Sequence, residues 1–195
     1  MHIVRKRWRW LGALCALAGV GLFALPAASQ GATTASVTLS AGSLAFINST
    51  PASTLTFPTT TLNGTNQSIT STLAFDIGDA TGSGSGWNVT ATSTTFTSGS
   101  HTLPTTATTV QSAPTASCDA GATGCTTATN TVSFPYTLPA ATTAPTATKL
   151  FDASANTGMG DQSFTPTFTL AIPANAVASG TAYTSTWTFS LVSGP

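Results

Sequence analysis

Few side chains in this sequence are equipped for acid, base or nucleophilic chemistry. Beyond residue 31 the carboxylates are Asp76, Asp79, Asp119, Asp152 and Asp161, with no glutamate anywhere, and the only imidazole and the only cation there belong to His101 and Lys149. Glycoside hydrolysis needs a general acid set against a second carboxylate, and five scattered aspartates declare no such pair. No serine or cysteine stands in a nucleophile elbow, and His101 lies beside Thr102 in a proline-rich stretch. We therefore expect no catalytic residue and no cofactor, and read the chain as a non-enzyme. Asp76 and Asp79 precede a glycine-rich stretch, and a hard cation favours clustered carboxylates and carbonyls, but their spacing fits no Ca²⁺ loop. Aspartate before glycine is more commonly a turn former. Cys118 and Cys125 lack the further ligands that zinc requires, so no metal site is expected either. In an oxidising compartment these two cysteines close a disulfide around a small glycine-containing loop, worth about 2–3 kcal/mol on chain-entropy grounds.

The compartment follows from the first residues. Arg5, Lys6, Arg7 and Arg9 form a basic start, Leu11 to Leu25 an apolar run, and Pro26-Ala27-Ala28-Ser29 a small-residue cleavage region. Residues 1–31 thus read as a signal peptide that is removed, leaving 32–195 as a single secreted domain with no transmembrane segment. Cleavage takes four of the five basic residues away. One lysine against five aspartates then leaves a net charge of −4, which excludes charge-driven binding to nucleic acid or anionic lipid.

What remains is rich in Thr, Ser, Ala, Gly and Pro, with apolar and aromatic residues at strand-like spacing. Ile69, Leu73, Phe75 and Ile77 share one face of an alternating run, and Val132, Phe134, Tyr136 and Leu138 another; Phe164, Phe168, Leu170 and Ile172 form a third. Val37/Leu39, Leu44/Phe46, Leu55/Phe57, Thr108–Val110 and Lys149–Phe151 read as shorter strands. Between Ile77 and Trp87 lies Gly82-Ser83-Gly84-Ser85-Gly86, for which we expect an antiparallel hairpin whose glycines allow a close approach to the sheet edge or to a ligand. No amphipathic helix and no fixed repeat appears. The pattern is all-β: an antiparallel β-sandwich of roughly nine to eleven short strands.

The closing stretch has the clearest alternation. Tyr183, Trp187, Phe189 and Leu191 are large and apolar, while Thr184, Thr186, Thr188 and Ser190 carry hydroxyls, which fits a strand with one buried face. Read together, Tyr183-Thr184-Ser185-Thr186-Trp187-Thr188-Phe189-Ser190-Leu191-Val192-Ser193-Gly194-Pro195 and the earlier Gly86-Trp87-Asn88-Val89 resemble the paired motifs of the WxL family of bacterial cell-surface domains. Gly158-Met159-Gly160 and Ile172-Pro173-Ala174-Asn175 extend the likeness over most of residues 32–195. Val89 stands where the family has leucine; in the distal motif Phe189 stands where the family has tryptophan, and Trp187 where it has an aliphatic residue.

The resemblance implies a secreted protein held non-covalently at the cell surface or cell wall, with peptidoglycan as the ligand and no catalysis. The ligand-binding residues carried over are Trp87, Val89, Tyr183, Trp187, Phe189 and Leu191. Two readings of the tryptophans stay open: core residues, since burying such a ring contributes about 3 kcal/mol or more, or exposed platforms on which a sugar stacks. Other surface proteins, or the chain itself, are further candidate partners. The alternative function is a structural subunit of a surface layer or fibre, assembled by pairing of unprotected β-edges.

Overall fold

A computed structural model describes residues 31–195; the expected signal peptide, Gly31 apart, lies outside the described residues. Leu39–Pro195 form one compact unit, and residues 31–38 before it are exposed and carry no regular structure.

The described residues contain fourteen strands and no helix. In chain order they are β1 Leu44–Phe46, β2 Gln67–Thr72, β3 Phe75–Asp79, β4 Trp87–Thr94 and β5 Thr97–Ser98. Next come β6 His101–Thr102, β7 Thr108–Val110, β8 Ser117–Cys118, β9 Tyr136–Thr137 and β10 Ala140–Ala141. The last four are β11 Thr148–Ala153, β12 Gly160–Phe164, β13 Thr167–Ile172 and β14 Trp187–Ser193. The fold is the expected all-β sandwich. The extra strands are β5, β6, β8 and β10, each two residues long and too short to leave an alternation in the sequence, while of the expected run through Val132 to Leu138 only β9, Tyr136–Thr137, is a strand.

One layer is built on a single long antiparallel pair. Phe164 lies opposite Phe75, and Thr167 opposite Thr72, so β2–β3 and β12–β13 keep one register throughout. At its centre Leu73 donates its N–H to the Pro166 carbonyl at 3.3 Å. Pro166 is buried and has no N–H to return. The ladder is therefore broken at one point, which divides the layer into the sheets β1-β3-β12-β8 and β2-β13-β7-β9. The other layer is centred on β4, flanked by β11 and β10 on one side and by β14 on the other.

Alternation then decides what is buried. Phe75, Ile77, Phe164 and Phe168 from the first layer meet Trp87, Val89, Ala91, Leu150 and Phe151 from the second, while Leu170 packs with Leu103, Ala107 and Ile172 in a smaller cluster. Within this core Trp87, Phe151, Phe164 and Phe75 form a stacked column, with successive ring centroids 5.4, 4.2 and 5.1 Å apart. Such offset aromatic pairs contribute about 0.5–1.5 kcal/mol each beyond their buried area. Charge contributes little: the one ion pair among the described residues joins Lys149 to Asp152 at 3.1 Å, near the surface.

Three local expectations are corrected. β3 and β4 do not form a hairpin, because the glycine-rich stretch carries the chain from one layer to the other, and Phe75 and Trp87 face each other through the core. Leu55 and Phe57 are half-buried, but their segment makes no ladder; the side chains of Ser71 and Gln67 hold it through the carbonyls of Thr56 and Thr61. Val37 and Leu39 lie in no strand and are 84% and 88% exposed.

Candidate functional site

The two tryptophan motifs lie on adjacent strands. β14 pairs with β4 along its whole length, setting Leu191 opposite Val89, Phe189 opposite Ala91 and Trp187 opposite Ser93. Opposed residues share a face, so both motifs point their large side chains into the sandwich. Their environments nevertheless differ.

Trp87 is sealed, with 0% exposure. Its ring stacks on Phe151 and its indole N–H donates to the Gly158 carbonyl at 2.8 Å. The glycines around it are a steric requirement. Gly86 has φ +75°, and a Cβ there would lie 2.3 Å from the Ala153 carbonyl oxygen; Gly158 has φ +80°, and its Cβ would lie 2.5 Å from the Trp87 Nε1. The close approach expected of the glycine-rich stretch is thus made to the protein's own backbone, and Gly86-Trp87 and Gly158-Met159-Gly160 are two halves of one lock. Val89 is equally buried. Neither side chain has a surface to offer a ligand.

Trp187 is only half-buried. It meets Phe168 at 4.9 Å and Phe57 and Phe96 both at 6.2 Å, edge to face. Beside it opens a hollow of about 600 Å³, lined by Pro51, Leu55, Phe57, Phe96, Tyr183, Trp187 and Phe189 and fringed by Thr54, Thr184, Thr186 and Thr188. Phe57, Phe96 and Tyr183 separate it from a more aliphatic hollow of about 550 Å³, which reaches Leu62, Ile69, Leu170, Ile172 and Val177. Tyr183 is fixed by its hydroxyl, which donates to the Val177 carbonyl at 2.9 Å. No charged side chain lines either hollow. Of the six residues carried over from the family, the groove brings together Tyr183, Trp187 and Phe189; Leu191 packs half-buried against the main core. Sequence reasoning missed Phe57 and Phe96, whose shared signal was only an aromatic ring among threonines.

The aspartates also separate by face. Asp79 turns inward and caps the loop, accepting from the Thr81 amide at 3.0 Å and hydroxyl at 2.7 Å. Asp76 turns outward, where Asn48 Nδ2 donates to it. These two therefore do not converge on a cation. Burial raises the Asp76 pKa, and the neighbouring Asp119 and Asp161 raise it further. Among the described residues no group of three or more His, Cys, Asp or Glu is arranged to hold a metal ion. Cys118 and Cys125 form the expected disulfide, beside the strand pairing of β8 with β12.

Taken together, these features define an all-β sandwich module with two interlocked tryptophan strands and one open, uncharged aromatic groove. The chain belongs to the WxL family: the model of the WxL domain, a surface cell wall-binding domain, matches residues 27–195. No curated protein and no solved structure matches it. It is a surface protein of the cell-wall-binding kind, and its family is one of binding domains rather than enzymes.

Proposed function

We propose that the protein is secreted and attaches non-covalently to peptidoglycan through the groove beside Trp187. The observation that carries this reading is the contrast between the two motif tryptophans: Trp87 is sealed and hydrogen-bonded, while Trp187 keeps part of its ring open among Phe57, Phe96 and Tyr183. A pyranose offers one apolar face and a rim of hydroxyls. Aromatic walls with a threonine fringe match that chemistry. The absence of charged lining residues favours the glycan strand over the carboxylate-bearing peptides of the wall. Phe189 and Tyr183 complete the wall of the groove, and Trp87 and Val89 act beneath it by holding β4 in place for β14.

The test is sedimentation of the secreted chain with insoluble peptidoglycan, alongside Trp187→Ala and Tyr183→Ala variants checked by circular dichroism. Binding by the native chain and its loss in folded variants is the expected result. A folded native chain that stays in the supernatant overturns the reading.

A further inference from the structure

β14 is an edge strand that β1 approaches without pairing with it, and the stretch Ser185–Phe189 is its open part. Its even-numbered positions, and Thr184 and Thr186 before it, turn their backbone groups toward the β4 side, as in Thr94 N–H to the Thr186 carbonyl and the reciprocal pair between Thr184 and Thr97, each at 2.9 Å. Ser185, Trp187 and Phe189 turn theirs the other way, where they have no backbone partner among the described residues. That side is the hollow of about 600 Å³, whose far wall is Pro51–Leu55. An edge of this kind is usually blunted by a charge, a proline or a bulge; β14 reads Trp-Thr-Phe-Ser-Leu-Val-Ser and has none of them.

A matching strand lies elsewhere in the same chain. In residues 35–41, Ala-Ser-Val-Thr-Leu-Ser-Ala, apolar and hydroxyl residues alternate as they do in β14. The segment carries no charge and lies in no ladder, and Val37 and Leu39 are the most exposed large apolar side chains among the described residues. It enters the domain at Gly42, whose N–H bonds the Ala80 carbonyl, whereas the open stretch of β14 lies at the far end of that strand, opposite Ser93.

We propose that residues 35–41 of one copy add as a strand to the Ser185–Phe189 edge of a second copy, with Val37 and Leu39 filling the hollow beside Trp187. The added strand supplies the missing backbone partners and covers the half-buried face of β14. The contact joins two different surfaces, the leading segment of one copy and the β14 edge of the next, so each added copy still offers a donor and an acceptor and the contact can propagate into a filament. The inference does not rest on wall attachment, since assembly is read without wall material; it predicts that an assembled copy has its groove filled.

The experiment is sedimentation velocity on the chain secreted with its own leader, over a concentration series. Two variants accompany it: a donor variant, Val37→Asp/Leu39→Asp, and an acceptor variant, Ala52→Lys/Thr54→Lys. All four positions are exposed, so melting temperatures serve to show that both variants fold. The native chain is expected to form a concentration-dependent ladder of oligomers, and each variant to associate at least tenfold more weakly. An equimolar mixture of the two is expected to give heterodimers and nothing larger, because it retains one working donor and one working acceptor. A native chain that stays monomeric, variants that assemble like the native chain, or a mixture that remains monomeric each overturns the proposal.

Discussion

Replacing Trp87 with phenylalanine separates the roles of the two tryptophans. The indole N–H that donates to Gly158 at 2.8 Å is lost, and a buried carbonyl is left without that partner, at a cost of about 1–3 kcal/mol. The smaller ring leaves a void in the column between Phe151 and the glycines, adding about 1–2 kcal/mol. The sum, about 2–5 kcal/mol, is a large part of the 5–15 kcal/mol that holds a typical domain together. At about 2–4 °C per kcal/mol for a chain of this size, the melting temperature falls by roughly 5–20 °C. Trp187→Phe is the control. That ring is half-buried and keeps its edge-to-face neighbours, so the loss is about 1 kcal/mol. Equilibrium denaturation followed by near-ultraviolet circular dichroism measures both. If Trp87→Phe melts within a degree or two of the native chain, or if Trp187→Phe is the more damaging change, the lock between Gly158 and Trp87 is not what stabilises the motif.

Other outcomes follow from the same geometry. Replacing Cys118 and Cys125 by serine releases a short loop and lowers stability by about 2–3 kcal/mol, read as a lower denaturant midpoint without loss of the fold. Asp76 has its folded pKa raised above 3.8 by burial and by Asp119 and Asp161, so the folded state holds this proton more tightly than the unfolded chain. Its contribution favours the fold at low pH and is lost as pH rises through the folded pKa. Asp76→Asn should therefore melt no lower than the native chain at neutral pH, with a smaller decline between acid and neutral pH; a pronounced loss at neutral pH contradicts this. Binding to peptidoglycan through an uncharged groove should persist as salt is raised, because there is no attraction to screen; release by moderate salt would place the contact on charged groups elsewhere.

The regular part of the fold was legible because alternation is a local property. The runs through Phe75, Phe168 and Phe189 each showed a buried face in their own few residues, and the structure keeps those faces. Topology was not legible in the same way. The chain from Ile77 to Trp87 had every local mark of a hairpin, and only the global arrangement, in which β3 prefers β12 and β4 prefers β14, sends it across the core instead. The groove was half legible: Tyr183, Trp187 and Phe189 came from one stretch and one motif, while Phe57 and Phe96 reach it from segments outside that motif, where nothing local tells a groove ring from a core ring. The burial of Trp87 depends on Gly158, some seventy residues later. The meeting of Asp76 with Asp119 and Asp161 likewise depends on the register of β3, β12 and β8.

The missing hydrogen bond at Pro166 has a dynamic consequence. A ladder interrupted at one residue transmits opening poorly from one side to the other, so the two halves of the long layer should behave as separate cooperative units. The half bearing Phe75 and Phe164 is clamped by the stacked column, whereas the half bearing Ile69, Leu170 and Ile172 borders the aliphatic hollow next to the groove. Amide protons of β2 and β13 should then exchange with solvent faster than those of β3 and β12. Opening of the β2–β13 half would then leave the Trp87–Gly158 lock shut.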